Sequence, residues 1–179
     1  MKKLIALSRT IDTLNERVGG MVIWLVLATA LISASNASIR YAFGMSSNAW
    51  LEIQWYLFAA IFLLGAGYTH QHNGHVRIDV IYDHLSARAK AWIDIFGTLF
   101  FLLPLCGLLV MLSWPALAES FTRHELSPDA GGLLRWPVRV MTPLGFLLLA
   151  LQGLSELIKR AAFLAGYIKL EEEQPVEKV

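Results

Sequence analysis

The stretch "AWIDIFGTLFFLLPLCGLLVMLS", residues 91–113, decides the fold. Past Asp94 it runs to Ser113 without a charge, and about 20 mostly apolar residues are what a helix needs to cross the hydrocarbon core of a bilayer. Three further stretches of that length lie outward from it, at about 20–39, 49–69 and 138–158, each set off by charges or turn residues. They are continuous apolar runs, not the alternating segments of about ten residues that a membrane barrel requires. Composition agrees with this reading. Of 179 residues 56% are hydrophobic and 16% charged, with a mean hydropathy of +0.53, outside the range of an ordinary soluble domain. The expected fold is all-α: a single four-span membrane domain over 1–170, followed by a disordered acidic tail over 171–179.

Charge placement predicts the direction of the spans, because Lys and Arg resist translocation. Eleven of them flank one side: Lys2, Lys3, Arg9 and Arg17, then Arg77, Arg88 and Lys90, then Lys159, Arg160, Lys169 and Lys178. Four flank the other, namely Arg40, Arg123, Arg135 and Arg139. Both termini are therefore expected in the cytoplasm, with the loops 40–48 and 114–137 outside. Arg9, Asp12, Glu16 and Arg17 make the leader too long and too charged for a cleaved signal peptide, so span one is expected to be retained. A net charge of +1 leaves no basic excess to hold a phosphate backbone, which argues against nucleic acid as a partner. Phospholipid is the expected surrounding.

Before span one, Leu4, Leu7, Ile11, Leu14 and Val18 recur at three- and four-residue steps and form one apolar helical stripe. Such a helix either lies along the membrane surface or extends span one into water, and Gly19 and Gly20 favour a bend between the two.

Four of the five histidines fall in "GAGYTHQHNGHVRIDVIYDHL", residues 65–85. Their spacing does not suit a dedicated metal: His70 and His72 point to different sides of a helix, and His75 follows an Asn-Gly turn. Haem between facing helices is the sharper alternative, which would make the chain the membrane anchor of a redox enzyme. Every histidine, however, lies at or beyond a span end. The segment reads as an elbow on the membrane surface, with Ser86 capping the helix that becomes span three. No cofactor, metal ligand or catalytic residue is expected.

Polar groups gather at the rims. Glu52 lies in the first turn of span two beside Trp50, Arg40 closes span one and Arg139 opens span four, so either an ion pair of Glu52 with Arg40 or Arg139 or separate snorkelling of each into the headgroups is expected. At the other side Asp94 lies near the start of span three, and Gln152 and Glu156 share one face of span four. A self-contained ion-coupled pump usually holds an ionisable group at mid-depth, and none is present. There is also no phosphate-binding loop and no paired nucleophile and base.

The order of these features resembles a known family. An amphipathic start, Arg40 ending span one, "SSNAWLEIQWYLF" (46–58) with Trp50 and Glu52, and then "GHVRIDV" (74–80) are similar to the DctQ-type small membrane subunit of TRAP transporters, the tripartite ATP-independent periplasmic carriers. Many members carry a second acid after the one matched by Glu52, where this chain has Ile53 and Gln54. The resemblance implies the cytoplasmic membrane of a bacterium or archaeon and three components. A large DctM-type subunit would bind sodium and substrate and move as an elevator, a periplasmic protein would deliver an organic acid or related solute, and the small subunit would brace the large one. Trp24, Arg40, Trp50, Glu52, His75, Arg77, Asp79, Arg139, Gln152 and Glu156 would then be structural or interface residues. Glu119, Glu125, Asp129 and Arg135 would help dock the periplasmic protein.

Overall fold

The computed structural model describes residues 1–45, 47–74, 82 and 84–168; His75, Arg77, Asp79 and the expected tail at 171–179 lie outside the described residues. Four helices are long and apolar enough to cross a membrane: α1 (Lys2–Phe43), α2 (Asn48–Gln71), α3 (Ala87–Thr122) and α4 (Trp136–Leu164). The all-helical, four-span expectation holds, with each helix longer than its apolar run. The short cap signals set the ends. Gly44 takes the left-handed conformation (φ 64°) that lets its N–H reach the Arg40 carbonyl and close α1. Ser86 caps α3 by accepting from the Ala89 N–H at 3.3 Å, as its position predicted.

At about 1.5 Å per residue, the 42 residues of α1 span about 63 Å, twice the roughly 30 Å of a hydrocarbon core. No break in the helix falls at Gly19 and Gly20: α1 runs from Lys2 to Phe43 as one element, so the N-terminal segment is continuous with span one. Gly19 has a different use. A Cβ there would run into the Tyr68 ring, so the glycine allows α1 and α2 to close on each other.

The N-terminal segment does not pack by its apolar stripe. Of the stripe, Ile11 is buried, but Leu4, Leu7 and Leu14 are 48%, 46% and 43% exposed. The buried face is turned one position round, to Ser8, Ile11, Asn15, Gly19 and Val22. What draws it there is hydrogen bonding to α4, described below.

α4 is the hub. It packs against α1, α2 and α3, α1 and α2 also pack on each other, and α3 packs almost wholly on α4. Close approach of α2 and α4 depends on Gly145, where a Cβ would lie 2.6 Å from the Leu63 carbonyl oxygen. Gly153 plays the same part toward α3, facing Thr98 and Leu102. Those two residues bound a π-helical turn, Thr98–Leu102. Pro104 has no N–H for the Phe100 carbonyl and its ring crowds that oxygen; the widened turn accommodates both effects.

Candidate functional site

Charged side chains lie in two layers with apolar helix between them. No Asp, Glu, Lys, Arg or His falls between Arg17 and Arg40, Glu52 and His70, Asp94 and Glu119, or Arg139 and Glu156. Each layer is a hydrogen-bonded assembly.

At the rim where α2 begins, Asn48, Glu52 and Tyr56 stand at four-residue intervals on one face of α2. All three reach the segment joining α3 to α4. Asn48 Nδ2 donates to the Ala130 carbonyl at 3.0 Å, and the Tyr56 hydroxyl donates to the Leu134 carbonyl at 3.0 Å. Between them, Glu52 Oε2 accepts from the Leu133 N–H at 2.7 Å, and Oε1 accepts from the Ser127 hydroxyl. Charge-assisted bonds of this kind are stronger than neutral ones. Gly132 makes the approach feasible, since a Cβ there would lie 2.8 Å from Glu52 Oε1. The loop also closes on itself: the Ser127 N–H meets the Leu133 carbonyl at 2.9 Å, the Arg135 N–H meets the Glu125 carbonyl at 2.9 Å, and Leu126 and Leu134 form an antiparallel bridge.

The expected pairing of Glu52 with Arg40 or Arg139 is corrected here. Arg139 is held by Glu125 at 2.8 Å and donates also to the Ala116 carbonyl at 2.9 Å, which ties the ends of α3 and α4 together. Arg40 forms no ion pair among the described residues. One backbone N–H and one hydroxyl of the loop, from Leu133 and Ser127, bind the Glu52 carboxylate, which makes no ion pair among the described residues. Of the four residues expected to dock a soluble protein, Glu125 is taken by Arg139 and Glu119 pairs with Arg123 at 3.1 Å across one exposed helical turn. Asp129 is at the tip of the loop, and Arg135 is the N-cap of α4. Trp50 is half-exposed at the rim, while Trp24 stands 70% exposed on the outer face of α1.

The opposite rim is a polar seam between α1 and α4. Gln152 Oε1 accepts from Asn15 Nδ2 at 2.9 Å, and Gln152 Nε2 donates to Asp12 Oδ1 at 2.9 Å. Asp12 also takes the Ser155 hydroxyl at 2.7 Å and Lys159 Nζ at 3.3 Å, and Lys159 pairs with Glu156 at 2.5 Å. Gln152 and Glu156 thus occupy the shared face expected of them. Beside the seam Arg160 Nε binds Asp94 at 3.2 Å, with the Tyr82 hydroxyl on the same carboxylate at 2.9 Å. His72 lies 3.5 Å from Glu16 and against the Tyr68 ring, linking α2 to α1.

Asp12, Asn15, Ser8 and Ser155 were missed as a group, and so were Asn48, Tyr56 and Ser127. The signals were there. Ser8, Asp12 and Asn15 recur at three- and four-residue steps as one polar stripe of α1, and Asn48, Glu52 and Tyr56 share a four-residue helical repeat.

Two comparisons bear on this arrangement. The family described as tripartite ATP-independent periplasmic transporters, DctQ component, matches residues 29–163. The ectoine TRAP transporter small permease protein TeaB of Halomonas elongata is 30% identical over 151 residues, covering 84% of this chain and 77% of the relative. No solved structure matches. The match begins within α1 and ends within α4, so it takes in the rim built by Glu52 and the α4 side of the seam but not Ser8, Asp12 and Asn15 on α1.

Proposed function

This chain belongs to the DctQ component family of tripartite ATP-independent periplasmic transporters, and on that premise we propose that it braces the large membrane subunit of a sodium-coupled carrier. It is a transporter component and a multi-pass inner-membrane protein. The large subunit would move solute and sodium as an elevator, a soluble protein would bring an organic acid or related solute, and this chain would supply the frame against which the elevator moves. The positive-residue bias supports a cytoplasmic Asp12 rim and a periplasmic Glu52 rim.

One observation carries the reading: every charged side chain of the four spans lies in one of two rim layers, and between the layers there is none to bind a solute or a coupling ion. The rims are spent on internal bonds that fix helix positions. A frame needs that rigidity, because motion of the fixed part would subtract from the displacement of the moving part.

Reconstitution tests it. The large subunit should co-purify with this chain, and sodium-driven uptake into liposomes should require both together with the soluble protein. Full uptake by the large subunit alone would remove the bracing role. Uptake by this chain alone would place the carrier within it.

A further inference from the structure

We infer that the outward side of α1 ahead of span one is a docking surface for anionic phospholipid, held against the headgroups at the Asp12 rim. This rests on the membrane placement in the reading above and needs neither the large subunit nor the soluble protein.

The first observation is a length of helix that the hydrocarbon does not use. Residues 18–39, free of charge between Arg17 and Arg40, cover about 33 Å and already fill a core of roughly 30 Å. Residues 2–17 of the same helix run on for about 24 Å more. Exposed apolar side chains within the core are ordinary lipid contacts. Leu4, Leu7 and Leu14 are exposed outside it.

The second observation is how folding sorts the charges of that segment. Both acids turn to the bundle: Asp12 to Ser155 and Lys159 on α4, and Glu16 to His72 at the end of α2. All four bases, Lys2, Lys3, Arg9 and Arg17, are exposed and make no ion pair among the described residues. In the sequence the segment carries both signs, but the surface left free is basic.

The third is continuity with the lipid-facing surface. Lys3, Leu7, Thr10, Leu14 and Arg17 follow at four- and three-residue steps, all exposed, as one stripe with a base at each end. The same steps lead on to Met21 and Trp24, 62% and 70% exposed inside the span. The face that lipid wets in the core is therefore the face that carries the leucines and bases below it.

An anionic phospholipid matches both parts of that surface. Its phosphate oxygens meet Lys and Arg, and its glycerol and upper acyl chain meet leucine, as in amphipathic helices that lie in the headgroup layer. Each base at an anionic surface strengthens the association about fivefold. At about 63 Å, α1 exceeds the roughly 40–45 Å of a bilayer with its headgroups, and leaning brings Leu7 and Lys3 into the layer that Leu14 and Arg17 already reach.

The experiment uses the full chain in nanodiscs of phosphatidylcholine alone or mixed about three to one with phosphatidylglycerol. A fluorescent label at Leu7→Cys reports contact with nitroxide-bearing headgroups, and one at Thr13→Cys, exposed but off the stripe, is the reference; Cys106 is buried and stays out of reach. Quenching at Leu7→Cys should be about threefold stronger with phosphatidylglycerol than without, and stronger than at Thr13→Cys. Adding Lys3→Gln and Arg17→Gln, both at exposed positions, should return it to the phosphatidylcholine level. Equal quenching in the two lipids overturns the inference, and so does quenching that survives the two Gln substitutions. Loss of the quenching when the large subunit is reconstituted with this chain overturns it as well, because a protein then covers the stripe. Failure of the two chains to co-purify leaves these readings intact and sinks the transporter reading alone, so the two failures are distinguishable.

Discussion

Asn15 and Gln152, 137 residues apart in the chain, are both 0% exposed and meet through a 2.9 Å amide-to-amide hydrogen bond. The Asn15 donor is shared with the Ile11 carbonyl at 3.4 Å, and its oxygen lies against Gly67, where a Cβ would strike it. One side chain therefore sets the positions of α1, α2 and α4 at the same level. Inside an apolar bundle a lost partner leaves a buried polar group with nothing to replace it.

The first prediction follows from that bond. Asn15→Ala leaves the Gln152 oxygen without its donor and should lower stability by about 1–3 kcal/mol. Ser33→Ala, which removes an exposed hydroxyl bonded to Gln54, should change it by less than about 1 kcal/mol. Thermal unfolding of the purified chain in detergent, followed by tryptophan fluorescence, compares the two. Equal losses would show that Asn15 carries no special weight.

A second prediction sets a half-buried ion cluster against an exposed pair. Asp12 gathers Ser155, Gln152 and Lys159, and the Asp12 and Lys159 side chains are only 21% and 25% exposed. Asp12→Ala takes the shared acceptor from all three, leaving Ser155 with the Ser8 carbonyl and Gln152 and Lys159 with Glu156, and should cost about 1–3 kcal/mol. Arg123 and Glu119 form a pair on a solvent-facing turn, so Arg123→Ala should cost less than about 1 kcal/mol. The same unfolding assay reads both. A loss at Arg123 matching that at Asp12 would contradict the assignment of the seam.

The spans were legible because length and apolarity alone decide whether a helix can cross lipid, and Ser86 was legible as a cap because capping is local. Partner choice was not. The stripe of Leu4, Leu7 and Leu14 obeys helical periodicity, but periodicity does not say which face finds a partner, and Ser8, Asp12 and Asn15 have hydrogen bonds to α4 to gain by turning inward. Gly19 and Gly20 look alike in sequence. Only the Tyr68 ring beside Gly19 separates a packing glycine from one with open space around it. Glu52 was placed correctly at the rim and given the wrong partner, because two arginines were visible in the sequence while the N–H of Leu133 becomes a candidate only once the loop has folded back.

That contrast between glycines is a third prediction. Gly145→Ala puts a methyl 2.6 Å from the Leu63 carbonyl oxygen, a backbone atom that cannot swing aside, and should separate α2 from α4 with a loss of about 2 kcal/mol or more. Gly20→Ala meets nothing within 4 Å and trades a poor helix former for the best one, so the isolated chain should gain about 0.5–1 kcal/mol. Melting temperatures should therefore move in opposite directions. If both fall, the open space at Gly20 is filled by something the isolated chain supplies.

The last prediction concerns α3, whose attachment to α4 has three points along its length: Asp94 with Arg160 at one end, the Thr98–Leu102 turn over Gly153, and the Ala116 carbonyl with Arg139 at the other end. Since α3 packs almost wholly on α4, these contacts can be weakened without touching the α1–α2–α4 triangle. A Cβ on Gly153 would lie 2.9 Å from Leu102 Cδ2 and 3.2 Å from Thr98 Cγ2, both side-chain tips, so Gly153→Ala should be absorbed by small shifts. Gly153→Leu cannot be absorbed that way and should lever α3 outward at its middle. Amide exchange in lipid nanodiscs should then rise over 98–110 while the segment 11–22, held by the polar seam, keeps its protection. Exchange rising equally in both segments would mean that the four helices open as one unit, and the independence of α3 would be lost as a basis for assigning it a separate role in the assembled transporter.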